Sequence, residues 1–118
     1  MSKVQNKQVG KRGEDLATEL LKEKGFKILE RNWGDKWGEI DIIAKDKDTF
    51  VFIEVKTKIG RSYGTPEEMI NSKKLNQIQK IASLYKPSQN NAKRIDVISV
   101  VLTSAFHPEE INHYQAVY

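Results

Sequence analysis

Three charged side chains interrupt or follow two apolar segments of the sequence, residues 40–44 and 50–55. Asp41 lies within the first segment, Glu54 lies within the second, and Lys56 comes just after it. A charge in a buried strand costs on the order of several kcal/mol unless it is paired or binds a metal. Such placements therefore suggest a site.

Two carboxylates, without a cysteine or a paired histidine to join them, select hard cations such as Mg²⁺ or Mn²⁺ over zinc. Lys56 could then orient or deprotonate a water molecule and stabilise charge that develops on a phosphate. This chemistry is the hydrolysis of a phosphodiester, with Asp41 and Glu54 as the metal ligands. The alternative is a salt-bridge cluster of these three side chains on an exposed part of a sheet.

The two apolar segments are rich in β-branched and aromatic residues and flank the polar residues 46–49, which predicts a β-hairpin. A loop with an even number of residues, centred on Lys47 and Asp48, would bring the charged residues of the two strands opposite each other. Three cross-strand pairs follow from it: Asp41 with Glu54, Glu39 with Lys56, and Ile43 with Phe52. Alternation also predicts that Ile40 shares a face with Ile42.

A helix is predicted over residues 4–24, ending at Gly25, with a first strand at 26–33. Glu14 lies near the inward face of this helix. It either faces solvent or acts as a third carboxylate that reaches towards Asp41 and Glu54.

Trp33 and Trp37 bracket the turn that leads into the hairpin. A cross-turn pair packed on the sheet is favoured over stacking on nucleobases. The loop 59–64, with Arg61 and Tyr63, leaves the strand that carries Glu54 and is expected to border the site.

In the second half, Thr65 and Pro66 begin a helix predicted to reach about Tyr85. A strand at 95–102 should run parallel to the second hairpin strand through a right-handed crossover, and a final strand at 111–118 closes the sheet. The outward face of the helix carries Lys73, Lys74 and Lys80. Asp96 is interpreted as a salt-bridge partner of Arg94, and His107 and His113 as structural or exposed. The predicted order, α-β-β-β-α-β-β, is an α/β domain with a mixed central sheet flanked by helices.

The composition is that of one globular domain, residues 1–118, with 38% hydrophobic and 31% charged residues. The net charge of +4 and the pI of about 9.2 mildly favour a polyanionic partner. No apolar run approaches a membrane span and no secretory signal is apparent, so a cytoplasmic protein without a membrane partner is expected.

Motifs along nearly the whole chain carry a family resemblance. They are Gly13-Glu14, Gly25-Phe26, Arg31-Asn32-Trp33, residues 38–44, residues 52–56, Gly64-Thr65-Pro66, Lys73 and Arg94-Ile95-Asp96-Val97. With Asp41 followed by Glu54-Val55-Lys56, the chain resembles the PD-(D/E)-x-K nuclease superfamily, in the arrangement of archaeal Holliday-junction resolvases. More closely, it resembles the small bacterial YraN family.

The resemblance implies a restriction endonuclease-like core. It also implies that Asp41 and Glu54 are metal ligands, that Lys56 is the catalytic lysine and that Glu14 is a further acidic member of the site. The leading hypothesis is a Mg²⁺- or Mn²⁺-dependent DNA endonuclease that acts on branched or damaged DNA. The alternative is a nucleic-acid-binding module whose nuclease site is weak or idle. Cutting both strands of a junction symmetrically favours a homodimer, although no surface in the sequence marks its interface.

Overall fold

A five-stranded mixed sheet forms the centre of the protein, as seen in a computed structural model that describes residues 2–61 and 64–118. Helix α1 and three strands come first, followed by two helices, a 3₁₀ turn and two more strands. Their bounds are α1 Lys3–Glu23, β1 Lys27–Asp35, β2 Gly38–Asp46, β3 Thr49–Ile59, α2 Pro66–Met69, α3 Ser72–Ser83, the 3₁₀ turn Lys86–Ser88, β4 Lys93–Leu102 and β5 Pro108–Tyr114. The predicted α/β class with a mixed sheet is confirmed.

The strands lie in the order β1-β2-β3-β4-β5. Strands β1, β2 and β3 are antiparallel neighbours, β3 and β4 are parallel, and β5 is antiparallel to β4 at the edge. The predicted parallel pairing of the second hairpin strand with the strand that follows the helices is therefore confirmed. Strand β5 ends at Tyr114, earlier than predicted, because Ala116 adopts a left-handed φ of 53° and its N–H donates to Asp96 Oδ1 at 2.9 Å.

Each face of the sheet buries its own apolar cluster. On the α1 side, Leu16 and Leu21 of the helix pack with Ile42, Ile53 and Ile98 of the strands. The α3 side buries a second set, which includes Ile43, Phe52, Ile78, Tyr85 and Val97. Full burial of one such side chain contributes about 1.5–3 kcal/mol, so both helices are fixed against the sheet that carries the charged residues.

The predicted helix over residues 65–85 is interrupted, and this part of the prediction is wrong. Helix α2 ends at Met69 and α3 begins at Ser72. Asn71 is the N-cap of α3, because its side chain accepts the N–H of Lys74 at 2.8 Å. Asparagine side chains compete for backbone hydrogen bonds in this way, and so favour caps over helix interiors.

The predicted cross-turn pair of Trp33 and Trp37 is also wrong. Strand β1 runs to Asp35 and β2 begins at Gly38, so Trp37 lies in the two-residue turn and Trp33 faces Ile40 across the ladder. Trp33 packs edge-on against Tyr85 at 5.0 Å between ring centroids, whereas Trp37 is 69% exposed. In the described ranges, no helix is both long and apolar enough to span a membrane.

Candidate active site

The hairpin of β2 and β3 closes through a two-residue turn, Lys47 and Asp48, with Asp46 facing Thr49. The loop is even, and the predicted pairing of Ile43 with Phe52 is confirmed. One step beyond the last paired residues, Ile42 and Ile53, the same register brings Asp41 opposite Glu54. The hairpin thus places the two carboxylates side by side where the ladder ends.

Asp41 ends the ladder with its own side chain. The N–H of Val55 donates to Asp41 Oδ2 at 2.8 Å; in a continued ladder this N–H would face Ile40. Ile40 instead packs with Ile43 in the cluster under α3, so the prediction that Ile40 shares a face with Ile42 is wrong. Because β3 no longer pairs with β2 at this point, the strict alternation of faces is lost there.

Burial of Asp41, followed by the charge of neighbouring Glu54, raises the pKa of the Asp41 carboxyl to about 7. Glu54 is itself only 7% exposed. Two adjacent, partly desolvated carboxylates repel each other, and this repulsion adds to burial in favouring the protonated form of Asp41. A bound cation would relieve the repulsion.

Lys74 of α3 lies next to Glu54, with 3.5 Å between Nζ and Oε2. The prediction that Lys74 lies on the outer face of the helix is wrong, because its side chain contacts the buried Glu54. Lys74 precedes the buried Ile78 by four residues, so the helical spacing would have placed both on one face. This lysine is the residue of the candidate site that the sequence pattern did not indicate.

Glu14 approaches the same site from α1. Burial, and then the charge of Asp41, raises the pKa of Glu14, while Asn32 and Arg31 oppose the shift. Arg31 Nη2 lies 3.6 Å from Glu14 Oε1 and 2.9 Å from Asp15 Oδ1. The structure therefore brings Glu14 into electrostatic contact with Asp41.

Lys56 lies two residues after Glu54 on β3 and is half-buried. Glu39, its predicted partner, is exposed and faces Gly34 of β1; the paired part of the β2–β3 ladder ends before reaching it. Of the loop predicted to border the site, Arg61 is exposed, while Ser62 and Tyr63 lie outside the described residues.

Two clefts adjoin these residues. One has a volume of about 700 Å³ and is lined by Lys7, Lys11, Glu14, Arg31 and Asn32, among others. The other has a volume of about 1060 Å³ and lies between α3 and the β1–β2 turn; Lys74 is in its lining.

Asp41 and Glu54 offer carboxylate oxygens only, the donor type that Mg²⁺ and Mn²⁺ prefer. Within residues 2–61 and 64–118, no group of three or more His, Cys, Asp or Glu side chains is arranged to hold a metal ion. Mg²⁺ commonly binds through one or two carboxylates and keeps several waters. The pair therefore fits a site of that kind.

Asp96 belongs to a separate, structural cluster. It pairs with Arg94 at 3.0 Å, as predicted, and with the buried His113 at 2.7 Å. Arg94 also reaches Asp46 at 3.0 Å. These contacts join β2, β4 and β5, and His107 is exposed.

The fold and the site define an α/β protein with a mixed five-stranded sheet and a carboxylate pair at the end of its central hairpin. Over residues 13–100 the chain matches the family described as Uncharacterised protein family UPF0102, and it belongs to that family. This confirms the resemblance to YraN-like proteins at the level of the family.

Relatives from distant bacteria cover most of the chain. A UPF0102 protein of Clostridium botulinum is 52% identical over 103 residues, which is 84% of each chain. One from Persephonella marina is 46% identical over 101 residues, covering 83% of this chain and 87% of its own. One from Nocardia farcinica is 38% identical over 122 residues, covering 100% of this chain and 95% of its own.

Proposed function

We propose that this protein is a Mg²⁺- or Mn²⁺-dependent DNA endonuclease with a restriction endonuclease-like core, acting on branched or damaged DNA. The observation that carries the proposal is the juxtaposition of Asp41 and Glu54, whose repulsion contributes to raising the pKa of Asp41 to about 7. A protein keeps such a costly pair where a cation is to bind.

In this proposal Asp41 and Glu54 hold the cation, and the N–H of Val55 fixes the orientation of the Asp41 carboxylate. When bound, the cation supplies Lewis-acid activation of the phosphate and of a water molecule. Lys56 orients or deprotonates that water and stabilises the negative charge that develops. Glu14 is the further acidic member, and its contact with Arg31 positions it.

Lys74 balances the charge of Glu54 before a cation binds. Its side chain is 32% exposed and that of Glu54 is 8% exposed, so the lysine can move towards solvent more easily than the carboxylate can. Lys74 thus acts as a positioning residue for the Glu54 carboxylate.

Nucleic acid is the proposed partner because cations surround the site. Lys7, Lys11 and Arg31 line the cleft that also contains Glu14; Asp15 pairs with Lys11 and Arg31 there, and the chain carries a net charge of +4. Cationic clefts attract the phosphate backbone in a manner that salt weakens.

The test is cleavage of labelled four-way junctions and matched duplexes by purified protein with Mg²⁺ or Mn²⁺. Glu54→Gln should lower the rate about a hundredfold or more. Glu109→Gln, which removes the same charge from an exposed position of β5, should retain the rate of the parent. If Glu54→Gln cuts as fast as the parent, the site is misassigned.

The second candidate is a nucleic-acid-binding module with an idle site. It is favoured by the contact between Lys74 and Glu54, which already neutralises one of the two carboxylates. Salt-sensitive DNA binding, with no cleavage across metals and substrates, would support this candidate over the nuclease.

A further inference from the structure

The cleft that Lys74 lines is a groove formed by one face of α3 and the turn between β1 and β2. Its volume is about 1060 Å³. Gln77 of α3 donates a side-chain hydrogen bond to the carbonyl oxygen of Trp37 in that turn, which holds the two walls together. Gly38 lies against Gln77 so closely that a Cβ there would come within 2.5 Å of Nε2. The helix and the turn are therefore in direct contact beside the groove.

Trp37 forms an aromatic wall of this groove. Lys36 Nζ lies 5.2 Å from the centroid of its ring, a cation–π contact. Trp37 is nevertheless 69% exposed, so much of its surface is open to a ligand. Exposed aromatic rings in basic grooves stack on unpaired bases, because every base has a π-face.

The helix wall carries positive charge. Lys73 and Lys80 are seven residues apart on α3, so they lie on the same face and about 10 Å apart along the axis. Both are exposed. Three lysines and one aspartate, Asp35, line the groove, and Asp35 is already bonded to the N–H of Trp37 at 2.8 Å. The charge of the groove is complementary to a phosphate backbone.

Lys74 connects the groove to the carboxylate pair. It lines the groove, and its ammonium lies 3.5 Å from Glu54. A strand that followed the lysines of α3 would therefore arrive beside Glu54.

We propose that this groove binds an unpaired stretch of a DNA strand, with a base stacked on Trp37 and phosphates bound by Lys73 and Lys80. The inference rests on the proposed function, because it names the form of substrate delivered to Asp41 and Glu54. It favours DNA that has an unpaired segment, such as a branch point or a flap, over continuous duplex.

The test measures binding without cleavage. A labelled oligothymidine and a duplex of equal length are titrated with protein in EDTA, by fluorescence anisotropy. Trp37→Ala should bind the single strand about fivefold to a hundredfold more weakly than the parent, with little change for the duplex. Because Trp37 is exposed, the variant should keep the melting temperature of the parent.

Further variants distinguish the contribution of lysine charge to single-strand binding from the contribution of base stacking. Lys73→Gln and Lys80→Gln should each lower the salt slope of single-strand binding by about 0.7, whereas Lys22→Gln, an exposed lysine on α1 across the sheet, should not. Oligothymidine should quench the tryptophan fluorescence of the parent, and this quenching should be smaller in Trp37→Phe, in which Trp33, also in the lining of the groove, remains.

Equal single-strand affinity of Trp37→Ala and the parent would overturn the inference, as would quenching in Trp37→Phe that equals the quenching in the parent. So would an equal loss of duplex and single-strand binding in Trp37→Ala. The nuclease proposal is separate, because this assay contains no divalent cation. If Trp37→Ala binds the single strand normally and cleavage depends on Glu54, only the proposal that the groove binds DNA is rejected. If binding depends on Trp37 but no cleavage occurs, only the nuclease proposal is rejected.

Discussion

Asp41 binds a proton more tightly in the folded protein than in the unfolded chain, since burial and Glu54 raise its pKa from 3.8 to about 7. The stability that this proton contributes is fully present below about pH 4 and is lost as the pH rises through about 7. Without divalent ions, we therefore expect the free energy of unfolding to fall by roughly a few kcal/mol between pH 5 and pH 8.

Urea unfolding across that pH range measures this effect, and Asp41→Asn should flatten the profile. Asp48→Asn, an exposed aspartate in the hairpin turn, is the matched control and should follow the parent. An Asp41→Asn profile that coincides with that of the parent would show that another group governs the pH dependence.

Lys74→Gln removes the cation that lies 3.5 Å from Glu54. Since Lys74 also lowers the pKa of Asp41, we expect the metal-free variant to lose about 1–2 kcal/mol at pH 8 and to recover part of it in Mg²⁺. Chemical denaturation with and without the ion measures both changes. Lys73→Gln, one residue earlier and exposed, should change stability by less; an equal loss in both variants would contradict a specific contact with Glu54.

The carboxylate pair could be predicted from residues alone, because an even loop and period-two alternation fix which side chains oppose each other in a hairpin. The face of Ile40 could not be predicted this way. Alternation assumes a continuous ladder, and the side chain of Asp41 ends the ladder by taking the N–H of Val55.

At the level of the elements, the close approach of α1 to β3 brings Glu14 to the hairpin. Gly13 makes this approach possible, since a Cβ at that position would overlap Thr57 Oγ1 and lie 2.7 Å from Thr57 Cβ. The residue next to Glu14 in the helix thus has no room for a side chain.

Gly13→Ala should therefore destabilise the protein by about 1–3 kcal/mol, despite the better helix propensity of alanine. Gly10→Ala, in the same helix with nothing within 4 Å of the new Cβ, should be neutral or stabilise by up to about 1 kcal/mol. Urea unfolding of the two variants gives the comparison. If Gly13→Ala is as stable as Gly10→Ala, close packing of α1 on Thr57 is not required.

Element order and strand pairing followed from hydrophobic period and from the handedness of crossovers. The break at Asn71 and the exposure of Trp37 did not follow, because both depend on local hydrogen bonds. Asn71 accepts the N–H of Lys74, and Asp35 accepts the N–H of Trp37, which forms the turn that displaces this ring from the sheet. The sequence shows which residues can make such hydrogen bonds, but it does not show which partner each of them binds.

Across the whole molecule, the sheet gathers its buried charges into two groups with different consequences. Asp96 is joined by Arg94 and His113, and its pKa is lowered because these partners outweigh the burial that opposes them. In contrast, Asp41 and Glu54 are like charges, and the pKa of Asp41 is raised. A buried charge that is paired with opposite charges stabilises the fold. Two neighbouring like charges, in contrast, favour the binding of a cation.

A titration of thermal unfolding with Mg²⁺ or Mn²⁺ at pH 8 tests the cation site most directly. In the parent and in Asp48→Asn, the melting temperature should rise by roughly several degrees as the ion saturates its site. In Asp41→Asn the metal-free protein should be more stable, but the rise on adding metal should disappear. A rise of equal size in Asp41→Asn, or no rise in the parent, would contradict the assignment of Asp41 and Glu54 as a divalent-cation site.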